Sequence, residues 1–260
     1  MSRVREMMLV NGLRMLVVVI LIALWEYSAD RYISSLIIGK PSLIAEKLYK
    51  YVLSDLFIED LIFTLQSTLY GLFLGIIAGV IFGIIFSQLR LFAKAIEPII
   101  YAINALPRPA IAPIMVIWFG FGILSKVMVA FSIVFFIAFF NTLNGIRSIN
   151  PELLKIVRTM GASRTQIMRY IIMPSILSWV FAAFKVSTSF ALIGAVIGEL
   201  VGSSRGLGYR MLIFSGYFDT SGAFAILIIL MILGYGLIKL TERIENFILK
   251  WRPPITSIFS

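Results

Sequence analysis

Six apolar stretches, most of them close to the length of a bilayer crossing, constrain this chain more than anything else in it. A hydrocarbon core takes about 20 apolar residues of helix, which predicts spans at 13–27, 61–86, 93–119, 127–143, 172–196 and 223–240. Lipid offers backbone N–H and C=O groups no water, so these spans must be helices. The charged fraction is 14%, where a soluble domain carries about 25%. The expected fold class is therefore all-α, a polytopic membrane helical bundle of about six transmembrane helices. Residues 1–60 are expected to form a first span with an outer amphipathic segment, and 61–250 a core that contains a water-exposed loop at 147–170.

The first span follows Arg3, Arg5 and Arg14, as the apolar part of a signal peptide would. Trp25, Glu26 and Tyr27 occupy the place where small residues would mark cleavage, so a retained helix with an aromatic anchor is expected. Basic residues set the orientation. With the N-terminus inside, the inner segments hold Arg3, Arg5, Arg14, Arg90, Lys94, Arg147, Lys155, Arg158, Arg164, Arg169, Lys239, Arg243, Lys250 and Arg252. The outer ones hold Arg31, Lys40, Lys47, Lys50, Lys126, Arg205 and Arg210, a two-to-one bias. It puts both termini and the 147–170 loop in the cytoplasm of a cell-membrane protein. The net charge of +10 is thereby topology, and no nucleic-acid partner is expected. The chain has no cysteine and no histidine. That removes thiolate chemistry, the commonest general base and the commonest metal ligand, and no metal site is expected.

The densest charge of the second half lies at 150–174, N-P-E-L-L-K-I-V-R-T-M-G-A-S-R-T-Q-I-M-R-Y-I-I-M-P. Asn150 can cap a helix that Pro151 opens, since proline has no N–H to lose at the first position. Glu152 then sits at the positive end. Leu153, Ile156, Val157 and Met160 recur as an apolar stripe, with Lys155, Arg158 and Thr159 opposite. Gly161 suits a left-handed stop, and Ser163 with Gln166 reads as the capping box of a second helix. A helix pair of this kind must lay its stripe on lipid, on its own bundle or on another protein.

This segment resembles the cytoplasmic EAA loop of ABC-importer permeases, whose consensus is E-A-A, three residues, Gly, nine residues, I-x-L-P. Gly161, Ile171 and Pro174 fall on the Gly, Ile and Pro, with Met173 in place of Leu. The chain departs from the pattern at Lys155, in the Glu position, and at Ile156 and Val157, in the two Ala positions. Further stretches resemble the nitrate, sulfonate, taurine and bicarbonate permeases. They are Pro41-Ser42, half of a P-S-P-S sequence, Trp118-Phe119-Gly120-Phe121-Gly122, Asn141-Thr142 with Gly145-Ile146-Arg147-Ser148, and Gly206-Leu207-Gly208-Tyr209.

The resemblance implies the MetI-like permease fold of type I ABC importers. It implies a transmembrane subunit that moves a small anionic solute of the sulfonate, nitrate or taurine kind. The implied partners are an ATP-binding cassette ATPase, an extracytoplasmic solute-binding protein and a second permease copy in a homodimer, all in membrane lipid. The ATPase would dock on Glu152, Leu153, Lys155, Ile156, Val157, Met160, Gly161, Ala162 and Ser163. No G-x-x-x-x-G-K-[ST] occurs in the chain, so ATP and magnesium are expected on the ATPase, with no cofactor and no ATPase activity here.

Two constellations remain. Gly71, Gly75, Gly79 and Gly83 line one helix face at four-residue intervals and permit close backbone approach, within a subunit or between subunits. Gly194, Gly198 and Gly202 repeat the device beside Glu199. The third span is broken by Leu106-Pro107-Arg108-Pro109 and Pro113, and the carbonyls this frees need protein or water. At ~1.5 Å per residue, Arg108 lies roughly 21 Å beyond Lys94, past the midplane, and Lys185 about 16 Å beyond Pro174. Cations at that depth face a partner or water. Arg108 and Lys185, with Asn104, Ser189 and Glu199, are thus the candidate pathway groups; the alternative is a structural role, with the cations paired to Glu97, Glu199 or freed carbonyls. Two rival functions are weaker. A self-contained secondary transporter or channel should show paired broken helices in two halves, and the sequence shows one break. An intramembrane enzyme would be left with a Ser–Lys arrangement or paired carboxylates, and the nearest candidates, Lys185, Ser187 and Ser189, carry no motif.

Overall fold

The glycine spacing in the second span decides how the bundle is packed. A computed structural model describes residues 2–32 and 34–248, with all side chains there except those of residues 2–7 and Arg90. The side chains of Arg3, Arg5 and Arg90, and residues Lys250 and Arg252, which entered the orientation argument, lie outside the described part. Three long helices form the core: α4 (Asp55–Gln88), α7 (Ile123–Arg147) and α10 (Met173–Gly202), preceded by α1 (Ser2–Ser28), α2 (Ser35–Ile38) and α3 (Pro41–Val52). α7 lies between the other two. A Cβ on Gly71 would come within 2.4 Å of the Ala130 Cβ, and one on Gly194 within 2.7 Å of the Ala130 Cα. Gly75 faces Val134, Gly79 faces Ala138 and the Phe135 carbonyl, and Gly83 faces Thr142. The α4 glycines therefore form a seam inside one chain.

The boundaries differ from the sequence reading where polar residues are buried. α4 begins at Asp55, so the division expected at 60/61 falls inside a helix; Asp60 is buried and partnered, not solvated. α3 opens with Pro41 in its first turn, where a missing N–H costs nothing. Its leading donors are taken by α1: the Glu26 carboxylate accepts from the Ser42 N–H at 3.0 Å and from its hydroxyl at 2.8 Å. Beyond that end, where Trp25 meets Phe224 edge-on at 5.4 Å, α1 is exposed along its apolar length.

The third span is two helices, α5 (Arg90–Asn104) and α6 (Arg108–Phe119), bent by 91° at the break. α5 follows the Arg147 end of α7, with Glu97 3.1 Å from Arg147 and Tyr101 stacked on Phe140 at 5.0 Å. α6 runs toward the opposite end, where Val116 packs on Gly202. After α10 come α11 (Leu207–Gly216) and α12 (Thr220–Ile248). α11 lies in an outer segment between two spans, ten residues too short to stand out as an apolar run.

Candidate functional site

The 150–174 segment folds as its caps dictate. α8 (Pro151–Thr159) starts with the Asn150 side chain accepting from the Glu152 N–H at 2.8 Å, and Gly161 follows it at φ 84°. α9 (Arg164–Ile167) opens on the capping box: Ser163 N–H donates to Gln166 Oε1 at 2.8 Å and Gln166 N–H to Ser163 Oγ at 3.2 Å. A π-helical turn, Met168–Ile172, then leads into α10. Its cause is Pro174, which has no N–H for the Tyr170 carbonyl and whose ring would strike it in a regular helix; the wider turn removes both conflicts. Leu153, Ile156 and Met160 are exposed and Val157 is half-buried, while Lys155 points into solvent. Val157, Met160, Gly161, Ala162, Gln166 and Tyr170 line a hollow of about 360 Å³. Among the described residues, Leu153, Ile156 and Met160 of the stripe thus stay uncovered.

The proposed pathway residues are not one cluster. Arg108 sits 4.8 Å over the Phe136 ring and donates to Asn104 Oδ1 at 3.0 Å and to the Asn104 carbonyl at 3.2 Å. It is half-buried and makes no ion pair among the described residues. Phe136 is about 16 Å along α7 from Arg147 at ~1.5 Å per residue, so Arg108 lies near the middle of the bundle. Past Asn104 the chain turns through 91°, so α6 leaves the direction of α5 at Arg108. Lys185 is ion-paired, with Glu242 at 2.8 Å, a partner that the sequence reading missed; Lys239 holds the other oxygen of Glu242 at 2.8 Å. Ser189 is half-buried on α10.

Glu199 is corrected more fully. It is wholly buried and faces α11, not an aqueous path. The first N–H groups of α11 have no acceptor within their own helix. Gly206 N–H donates to Asp60 at 2.8 Å, Leu207 N–H to Thr64 Oγ1 at 2.9 Å, and Gly208 N–H to Glu199 Oε2 at 2.7 Å. Thr64 also donates to Glu199 at 3.1 Å, and Arg210 Nε and the Tyr51 hydroxyl reach Asp60 Oδ2 at 2.9 and 2.7 Å. Burial, with that bond to Asp60, pushes the Tyr51 phenol up, so it stays a donor. A Cβ on Gly206, at φ 105°, would strike the Glu199 carboxyl. This explains Gly206-Leu207-Gly208: glycines there let two carboxylates cap the helix. Lys126, counted as an outer-loop cation, is 0% exposed. Its ammonium donates to the Phe121 carbonyl at 2.8 Å and to the Gly202 carbonyl at the end of α10. An acidic residue at the start of an apolar span, Asp60, was the signal that could have exposed this network.

Residues 71–246 match the family described as "binding-protein-dependent transport system inner membrane component". The chain belongs to this family. The riboflavin transport system permease protein of Chloroflexus aurantiacus is 38% identical over 215 residues, 83% of this chain and 80% of that protein. The formylaminopyrimidine transport permease protein of Halalkalibacterium halodurans is 33% identical over 237 residues, covering 89% and 92%. A putative aliphatic sulfonates permease of Bacillus subtilis is 30% identical over 157 residues, covering 60% and 57%. Among solved structures, a bacterial ABC transporter for the import of alginate aligns over 97% of both chains with a TM-score of 0.65 at 15% identity. The MetNI methionine transporter aligns over 70% of this chain and 91% of its own with a TM-score of 0.60 at 21% identity. These share the fold, the MetI-like permease bundle.

As a permease of this family, the chain is the multi-pass membrane subunit of an ABC importer, a transport component whose partners are an ATPase and a solute-binding protein. A self-contained secondary transporter or channel is thereby set aside.

Proposed function

We propose that two copies of this permease form one pathway, with both termini and α8–α9 in the cytoplasm and the α8 stripe seated in an ATPase that binds ATP and magnesium. The solute is small and carries a planar ring, taken up at the α5–α6 break. The observation that carries this is Arg108, a cation with no carboxylate partner among the described residues, lying on Phe136 beside Tyr101 and Phe140. A guanidinium over aromatic faces stacks a flat ring and donates to its carbonyls or ring nitrogens. The relatives of 38% and 33% identity are named for riboflavin and formylaminopyrimidine, both ring compounds. A second reading, a small sulfonate-, nitrate- or taurine-like anion, keeps the same Arg108, while Lys185 is held, together with Lys239, on the Glu242 carboxylate.

Transport assays on the reconstituted complex separate the readings. Tyr101→Ala should raise the solute concentration for half-maximal uptake of the ring compound roughly three- to tenfold, the worth of one stacking contact, in the fraction that stays folded after losing the Tyr101–Phe140 stack. An unchanged value in Tyr101→Ala with a large rise in Arg108→Gln favours the anion. No change in either variant overturns the placement at the break.

A further inference from the structure

At the Arg147 end a hollow of about 490 Å³ opens between α4, α5 and α7, and neither coupling nor the proposed solute path uses it. One wall is apolar, built by Phe86, Leu143 and Ile146; the other carries Lys94 and Arg147. Glu97 engages one nitrogen of Arg147 at 3.1 Å, which leaves most of the five guanidinium N–H donors open. Lys94 is exposed and makes no ion pair among the described residues. α4 ends at Gln88 and α7 at Arg147, so the hollow lies where the spans leave hydrocarbon, at the depth of lipid headgroups. Leu91 and Phe92, both exposed, continue its apolar wall outward.

We propose that this hollow binds an acidic glycerophospholipid, with the phosphodiester between Lys94 and Arg147 and the glycerol and first acyl carbons against Phe86, Leu143 and Ile146. Two cations facing one acid give a net positive site, and the apolar wall rewards a ligand whose charge is joined to hydrocarbon. A free phosphate would use the cations and leave that wall wet. Basic pockets between transmembrane helices at the cytoplasmic face suit such headgroups, and the volume falls in the range of small-molecule sites. The orientation proposed above decides only which leaflet supplies the lipid.

The purified permease–ATPase complex tests this by native mass spectrometry and melting temperature, after exchange into detergent with phosphatidylglycerol, phosphatidylcholine or inorganic phosphate alone. Phosphatidylglycerol should be retained and raise the melting temperature, with neither effect from phosphatidylcholine or phosphate. Lys94→Gln should weaken retention about fivefold, the share of one basic residue at a membrane surface. Ile146→Trp, which fills the hollow and keeps both cations, should abolish it, whereas Lys50→Gln on α3 should not change it. Equal phosphatidylglycerol retention in Lys94→Gln and Ile146→Trp overturns the site. Equal retention of phosphatidylcholine, or stabilisation by phosphate alone, overturns the assignment to an acidic lipid.

Discussion

Where α4, α7 and α10 meet, side chains shrink to glycine and alanine, and the backbones come close enough that an added Cβ would collide. On α8, by contrast, no residue is buried, and its apolar stripe ends in an open hollow. Both regions are amphipathic in the sense of having one committed face. The core satisfies that face within the chain, while α8–α9 hold theirs rigidly by caps and leave it unpaired. A permease that must transmit motion needs both: a body that does not deform and a contact that another subunit can complete.

Substitutions can break that contrast, and the largest effect should come from the seam. Gly79→Leu puts a branched side chain against the Phe135 carbonyl at 2.6 Å and the Phe139 nitrogen at 2.9 Å. Backbone cannot step aside, so the cost should exceed the ~1–3 kcal/mol usual for overpacking, and no folded subunit should be recovered from detergent. Gly236→Leu, where nothing lies within 4 Å, should be recovered with an unchanged melting temperature. Equal yields would mean that α4 and α7 do not touch as described.

An intermediate effect is expected at the polar network. Arg210→Met removes the cation from a carboxylate that is 2% exposed, and breaking such a pair costs roughly 3–5 kcal/mol. Adding Asp60→Asn should restore part of the loss, measurable by thermal unfolding of the four members of the cycle. Full additivity of the two changes would show that they are not partners.

The smallest effect on stability belongs to the coupling helices. Met160→Asp should shift the melting temperature of the permease alone hardly at all, within about 0.5 kcal/mol for an exposed site, and Val157→Asp, at a half-buried one, somewhat more. Both should abolish solute-stimulated ATPase activity, because the docked carboxylate would be buried without a partner. Normal stimulation in both variants would remove α8 from the contact.

What the sequence disclosed follows the range of the interactions. The α8 and α9 caps and the glycine face are encoded within four residues of themselves, and spacing alone reveals them. The Asp60–Gly206 and Thr64–Leu207 bonds join positions 146 and 143 residues apart, and nothing local announces them. Glu199 therefore looked available for a pathway although it caps a helix. For Lys185 a structural partner was among the alternatives, but Glu242, which lies in another span, was not the one named. The geometry of the third span was hidden for a different reason: prolines showed where it breaks but not that it turns through 91°.

The π-helical turn at Met168–Ile172 has a geometric consequence for coupling. One extra residue in a helical turn offsets everything before it by about 100° around the axis. The direction in which the coupling pair presents itself to a docked subunit is thus not fixed by the lipid-facing and core-facing sides of α10. A single inserted position sets the azimuth at which α9, and beyond the Gly161 turn α8, leaves the membrane helix, so docking and membrane packing can each hold its own phase.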